Sequence, residues 1–190
     1  MKKVILSILS ISTLLFASCS LDNDDENGGG TTVGEVTAQN LAGNLTTDLI
    51  LDASVAHNLT GALLVKDGAT LTIEAGTRIN ALAGGTDVYI LVEKGGKIIA
   101  DGTEAKPILF TSNASIPKAG DWGGIIILGN GSYNINGGNA YIEGIEQNAD
   151  TLYGWGSTPN NADNSGTMQY VRIEFPGVAL TTTANSEING

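Results

Sequence analysis

Apolar and polar residues alternate over short windows of this chain. Leu71 and Ile73 alternate with Thr70 and Thr72, and Val171, Ile173 and Phe175 alternate with Tyr170, Arg172 and Glu174. A period of two sends successive side chains to opposite faces, so both windows predict strands with one buried face. Ile108-Leu109-Phe110 and Ile125-Ile126-Ile127-Leu128 are unbroken apolar runs, the pattern of strands buried inside a stack. Gly-bearing corners punctuate these runs: Asp67-Gly68, Gly95-Gly96, Gly123-Gly124, Gly129-Asn130-Gly131 and Gly137-Gly138-Asn139. Gly and Asn tolerate the positive φ that sharp corners need. No stretch of the body long enough for a helix shows a single apolar face.

The strands also repeat. Val65 aligns with Val92, Gly68 with Gly95 and Leu71 with Ile98, each pair 27 residues apart. A period of this size with short strands predicts a solenoid in which one repeat is one coil. Composition supports the reading. The chain has 190 residues, 42% of them apolar and 26 of them Gly, and only 15% carry charge. The net charge of −11 argues against nucleic acid as a partner, because phosphate contact needs a basic footprint. One Cys and one His exclude a disulfide framework and leave too few ligands for a Cys/His zinc site.

The N-terminus reads as a processed leader. Met1-Lys2-Lys3 is a basic start, and Val4 to Ala17 is an apolar run too short to span a bilayer. Phe16-Ala17-Ser18-Cys19 resembles a bacterial lipobox, which makes residues 1–18 a signal peptide and Cys19 the lipid-bearing residue of the mature chain. The plainer alternative is an ordinary signal peptide that leaves a free thiol. Residues 19–34 are acidic and Gly-rich and are expected to form a solvated tether. Loss of Lys2 and Lys3 makes the mature chain still more acidic, so the lipid rather than the protein surface is expected to hold it to an anionic membrane.

The repeat, the segment Asp121-Trp122-Gly123-Gly124-Ile125 and the run Asn164 to Phe175 resemble a group of Bacteroidota surface lipoproteins similar to right-handed parallel β-helix proteins. The resemblance spans roughly Leu45 to Gly190. It implies an all-β, right-handed parallel β-helix (solenoid) over residues 35–190, with an N-terminal cap region over 35–61. It also implies an outer-membrane, cell-surface location. In that group the β-helix continues further, and Glu187-Ile188-Asn189-Gly190 looks like the start of another strand, so the domain is expected to be truncated at its C-terminus.

Candidate chemistry is sparse. Tyr170, Arg172 and Glu174 are expected on one outward strand face, a strip able to contact sugar, although a cross-coil salt bridge explains the last two equally simply. Tyr153 and Trp155 head the loop before Thr167, where aromatic rings either stack on sugars or anchor the loop. Asp163 and Asn164 are the weak candidates for Ca²⁺, against the plainer reading that such residues bond their own turn. Thr151 lies in Asp150-Thr151-Leu152, which resembles a short O-glycosylation motif. Glu143 and Glu146 form a conceivable carboxylate pair. His57 has no nucleophile or acid to work with, and Trp122 is expected in the core.

These readings lead to an expected function as a non-catalytic cell-surface lipoprotein, a β-helix module for glycan binding, adhesion or structure. The alternative is a polysaccharide lyase or glycoside hydrolase with active residues partly beyond residue 190. No cofactor is expected, with Ca²⁺ the one open option. The expected partners are the membrane, through the N-terminal lipid, and a polysaccharide.

Overall fold

The structure, a computed structural model, describes residues 40–134, 138–142 and 145–178. The leader, Cys19, the tether, Glu143 and residues 179–190 lie outside the described residues. Thirteen short strands and one 3₁₀ turn, Ala149–Thr151, make up the described body.

The strands stack in three parallel columns. The first holds β2 (Leu49–Leu51), β4 (Thr70–Ile73), β7 (Lys97–Asp101) and β12 (Gly166–Gln169), paired in that order. β1 (Asn40–Leu45) and β3 (His57–Val65) each serve two columns. The start of β3, His57 to Leu59, pairs with β5 (Arg78–Ala81), which pairs with β8 (Ile108–Ser112) and then β13 (Val171–Ile173), forming the second column. The end of β3, Leu63 to Val65, pairs with β6 (Tyr89–Val92) and then β9 (Gly124–Ile127), forming the third. Following the chain therefore visits first, second and third column in turn and then steps up one coil: a parallel β-helix.

The registers explain the repeat. Val65 lies beside Val92 and Leu71 beside Ile98, the same pairs that the 27-residue offset aligns. Stacking then puts like residues in inward ladders: Leu49, Leu71 and Ile98 in the first column, Ile79 and Phe110 in the second, Val65 and Val92 in the third. All belong to one apolar core, and each contributes about 1.5–3 kcal/mol by leaving water. Trp122 is fully buried, stacked on Phe110 with ring centroids 6.4 Å apart. His57 is also fully buried, with Nε2 3.1 Å from the Asp52 carbonyl oxygen.

The third column is apolar on both sides. Leu64, Leu91 and Ile126 form an outward ladder that a second apolar cluster covers. This is why its strands read as unbroken apolar runs rather than alternating ones. The cover comes from one corner. Between third and first columns the chain takes residues 46–48, then 66–69, then 93–96, and finally 128–165. The last passage carries the antiparallel pair β10 (Ala140–Tyr141) and β11 (Leu152–Tyr153).

Coil pairing begins at Asn40, where β1 pairs with β3 in parallel. One expectation is corrected. The strand expected over Tyr170 to Phe175 is broken. Tyr170 has a φ of 49°, a corner that separates β12 in the first column from β13 in the second. Ile127 and Ile173 keep the inward register, beside Val92 and Phe110, and are each 43% exposed because they stand on the last described strands of their columns.

Close coil approach makes some glycines irreplaceable. Gly166 has a φ of +121°, and a Cβ there would stand 1.8 Å from the Ile98 carbonyl oxygen. Gly68 has a φ of +84° with nothing within 4 Å of its would-be Cβ. In urea unfolding, Gly166→Ala is expected to lower stability by at least about 2 kcal/mol, and Gly68→Ala by about 1–2 kcal/mol.

Candidate functional site

The outer surface of the second column carries a polar ladder. Asn40 lies beside Asn58, Asn58 beside Asn80, and Asn80 beside Thr111. Glu174 extends the row, since its carboxylate accepts from the Thr111 hydroxyl at 2.9 Å and its N–H donates to the Phe110 carbonyl at 2.9 Å. The neighbouring row is Arg78, Leu109 and Arg172. Both arginines of the chain thus stand on this one surface, two strand spacings apart, roughly 10 Å.

Each arginine has a partner. Arg78 Nε donates to Asn80 Oδ1 at 2.8 Å, and Arg172 forms an ion pair with Glu174. Asn58 Nδ2 reaches Asn40 Oδ1 at 3.5 Å. The surface is therefore an array of amides at coil spacing with one ion pair, Arg172 with Glu174, and one guanidinium, Arg78, bonded to an amide. It has many donors and acceptors for hydroxyl groups.

The five residues expected to contact ligand fall into two groups. Arg172 and Glu174 stand together at the upper end of this ladder. Tyr170 does not share their face; it is 56% exposed at the corner, where its carbonyl accepts from Ile108 N at 3.0 Å. Tyr153 and Trp155 belong to the long passage over the third column. Tyr133 packs between them, its ring centroid 5.5 Å from Tyr153 and 4.9 Å from Trp155. Tyr153 also packs on the outward ladder of Leu91 and Ile126. The Tyr133 hydroxyl is buried without a hydrogen-bond partner.

Ionic contacts fasten that passage to earlier coils. Lys66 Nζ lies 2.5 Å from Glu93 Oε1 and 2.8 Å from Asp150 Oδ1, joining the corners of three successive coils. Lys94 Nζ donates to the Gly154 carbonyl at 3.4 Å. Burial works against the Lys66 ammonium, but its two carboxylate partners outweigh that and hold its pKa above the usual lysine value. Burial pushes Glu93 up, against the pull of Lys66 and with help from the Asp150 charge. This relay went unrecognised in the sequence, although the 27-residue offset aligns Lys66 with Glu93 and Asp67 with Lys94, opposite charges on successive coils.

The remaining candidates have structural duties. Asp163 accepts from Asn130 N at 2.9 Å, and Asn164 Oδ1 accepts from Gly166 N at 2.9 Å. Among the described residues, no group of three His, Cys, Asp or Glu is placed to hold a metal ion. Thr151 is 3% exposed, and its hydroxyl donates to the Glu146 carbonyl at 2.9 Å, so the motif expected to be glycosylated is closed in the folded chain. Glu146 is exposed, while Glu143 lies outside the described residues. Trp122 Nε1 donates to the Glu174 carbonyl at 2.8 Å, tying the ladder's upper end to the core.

Asp121, beside Trp122, is the most perturbed carboxylate. It is 1% exposed and accepts from Ser112 Oγ at 2.6 Å, from Lys118 N at 3.1 Å and from Lys118 Nζ at 2.9 Å. The Ser112 bond and then the Lys118 bonds lower its pKa to about 2, despite burial. It organises the corner that leads from β8 to β9, and Gly84 N donates to its carbonyl at 2.9 Å.

Residues 43–190 match a family model described as a pectate-lyase-like β-helix domain. The chain belongs to this family. No curated protein and no solved structure matches it.

A carboxyl with a lowered folded pKa favours the fold above its unfolded pKa, here near 3.8, and loses that contribution as pH falls toward about 2. Asp121→Asn is therefore expected to reduce stability at neutral pH by about 2 kcal/mol and to flatten the acid limb of the unfolding profile between these values. Chemical unfolding at a series of pH values measures both.

Proposed function

We propose that this chain is a non-catalytic, lipid-anchored surface module that binds a hydroxyl-rich polysaccharide along the outer face of its second column. The carrying observation is the ladder of Asn40, Asn58 and Asn80, continued to Glu174 through the buried Thr111 hydroxyl. Repeating amides at strand spacing offer paired donors and acceptors along an extended chain of sugars. Membership of the pectate-lyase-like β-helix family supports a carbohydrate-related role. The ion pair of Arg172 with Glu174 favours binding over uronate cleavage at that arginine, because a lyase base must be free to take a proton. The lipobox-like segment around Cys19 and the acidic tether support export and anchoring on the outer membrane. Attachment then runs through the lipid, with the polysaccharide as the other partner.

Affinity electrophoresis of the full chain against a panel of neutral and acidic polysaccharides tests the binding reading. At least one is expected to retard the wild type, with Asn58→Ala/Asn80→Ala losing the retardation while keeping its circular dichroism. Release of unsaturated or reducing ends from any polysaccharide would instead establish the lyase or hydrolase alternative. For the anchor, Cys19→Ala is expected to move the protein from the membrane fraction to the soluble fraction; a membrane-bound variant would remove the lipid from the account.

A further inference from the structure

Outside the polar ladder, the long passage over the third column builds a second concave surface. Ile126, Ile127, Leu128 and Gly129 form its floor, and Tyr141, Ile142 and Tyr153 form its wall. The cleft encloses about 530 Å³, within the range of small-molecule sites. None of these residues is charged. Tyr141 is 43% exposed, a large side chain left open on the wall.

The wall is held rigidly. β10 and β11 pair Tyr141 with Leu152 and Ala140 with Tyr153. Gly154 N donates to the Gly129 carbonyl at 2.9 Å, closing wall onto floor. Tyr133 supports the Tyr153 ring from behind, and Lys66 and Lys94 fasten the passage at Asp150 and Gly154. A site whose walls are ordered before binding avoids the entropy cost of assembling them.

We propose that this cleft binds a single uncharged sugar ring bearing an apolar substituent, as a 6-deoxyhexose does. The tyrosine rings suit the C–H face of a pyranose, and their hydroxyls with the floor's backbone suit its ring hydroxyls. The aliphatic side chains of Ile126 and Leu128 on the floor and Ile142 on the wall suit a methyl group and leave a buried hydroxymethyl without a partner. A carboxylate in the same position would lose its water with no cation among the lining residues, in a chain of net charge −11. The inference shares with the proposed function only the premise that the chain recognises sugar; its residues are separate.

The test uses the full chain and sugars that differ at one carbon. Methyl glycosides of galacto and manno configuration, in both enantiomeric series, are compared as their 6-deoxy, 6-hydroxy and uronate forms. Binding is read by ligand-observed NMR and by fluorescence, since Trp155 adjoins the wall through Tyr133 whereas Trp122 is fully buried. At least one 6-deoxy glycoside is expected to bind about fivefold or more tightly than its 6-hydroxy partner, and its uronate not to bind. Tyr141→Ala and Tyr141→Leu are expected to weaken it several-fold with circular dichroism unchanged. Ile116→Ala, in an exposed loop, is expected to leave it intact. Equal binding across a triplet, preference for the uronate, no binding by any glycoside or insensitivity to Tyr141 would each overturn the proposal. Loss of binding in the Asn58/Asn80 variant alone would assign the sugar to the polar ladder instead.

Discussion

Each strand in the middle of a column depends on the coils below and above it for its ladder of backbone hydrogen bonds. A strand in a parallel column has no hairpin partner, so its N–H and C=O groups are satisfied only if successive coils keep register. Register in turn requires that inward residues stack on inward residues, because a slip of one position would turn each apolar side chain outward. The ladders of Leu49, Leu71 and Ile98 and of Val65 and Val92 are the result. Everything chemically distinctive stands on this frame, either as the outward partner of such a ladder or as a corner between two of them.

That division explains which parts were readable in the sequence. Strand residues obey a common spacing, and one corner of constant length left the 27-residue offset intact across Val65 and Val92. Fold class followed from it. The polar ladder was not readable because its members are separated by corners of different length. Asn40, Asn58, Asn80 and Thr111 share one row at irregular intervals along the chain. The break at Tyr170 was hidden for another reason. A left-handed corner normally announces itself with Gly or Asn, and here a tyrosine takes that conformation inside a run that otherwise alternates perfectly.

Of the candidate residues, Arg172 and Glu174 stand on one surface, while Tyr153 and Trp155 lie over a different column. Their side chains gave no hint of this separation, since it depends on Tyr153 packing over the third column. The hint lay elsewhere, in the apolar runs of Leu63-Leu64-Val65 and Ile90-Leu91-Val92. A strand that is apolar on both faces needs a cover, and the second apolar cluster supplies it.

The Lys66 relay has a mechanical meaning. In a solenoid each coil touches only its neighbours, so a pull on the upper end can peel coils away one at a time. Lys66 lies two coils below Asp150 and contacts it directly, while Glu93 occupies the coil between. Lifting the upper passage thus breaks a contact to a coil that peeling would otherwise reach two steps later. The relay joins the corners of three coils, a seam stitched across the stack rather than along it. That seam lies at the corner where the chain strays furthest from the repeat.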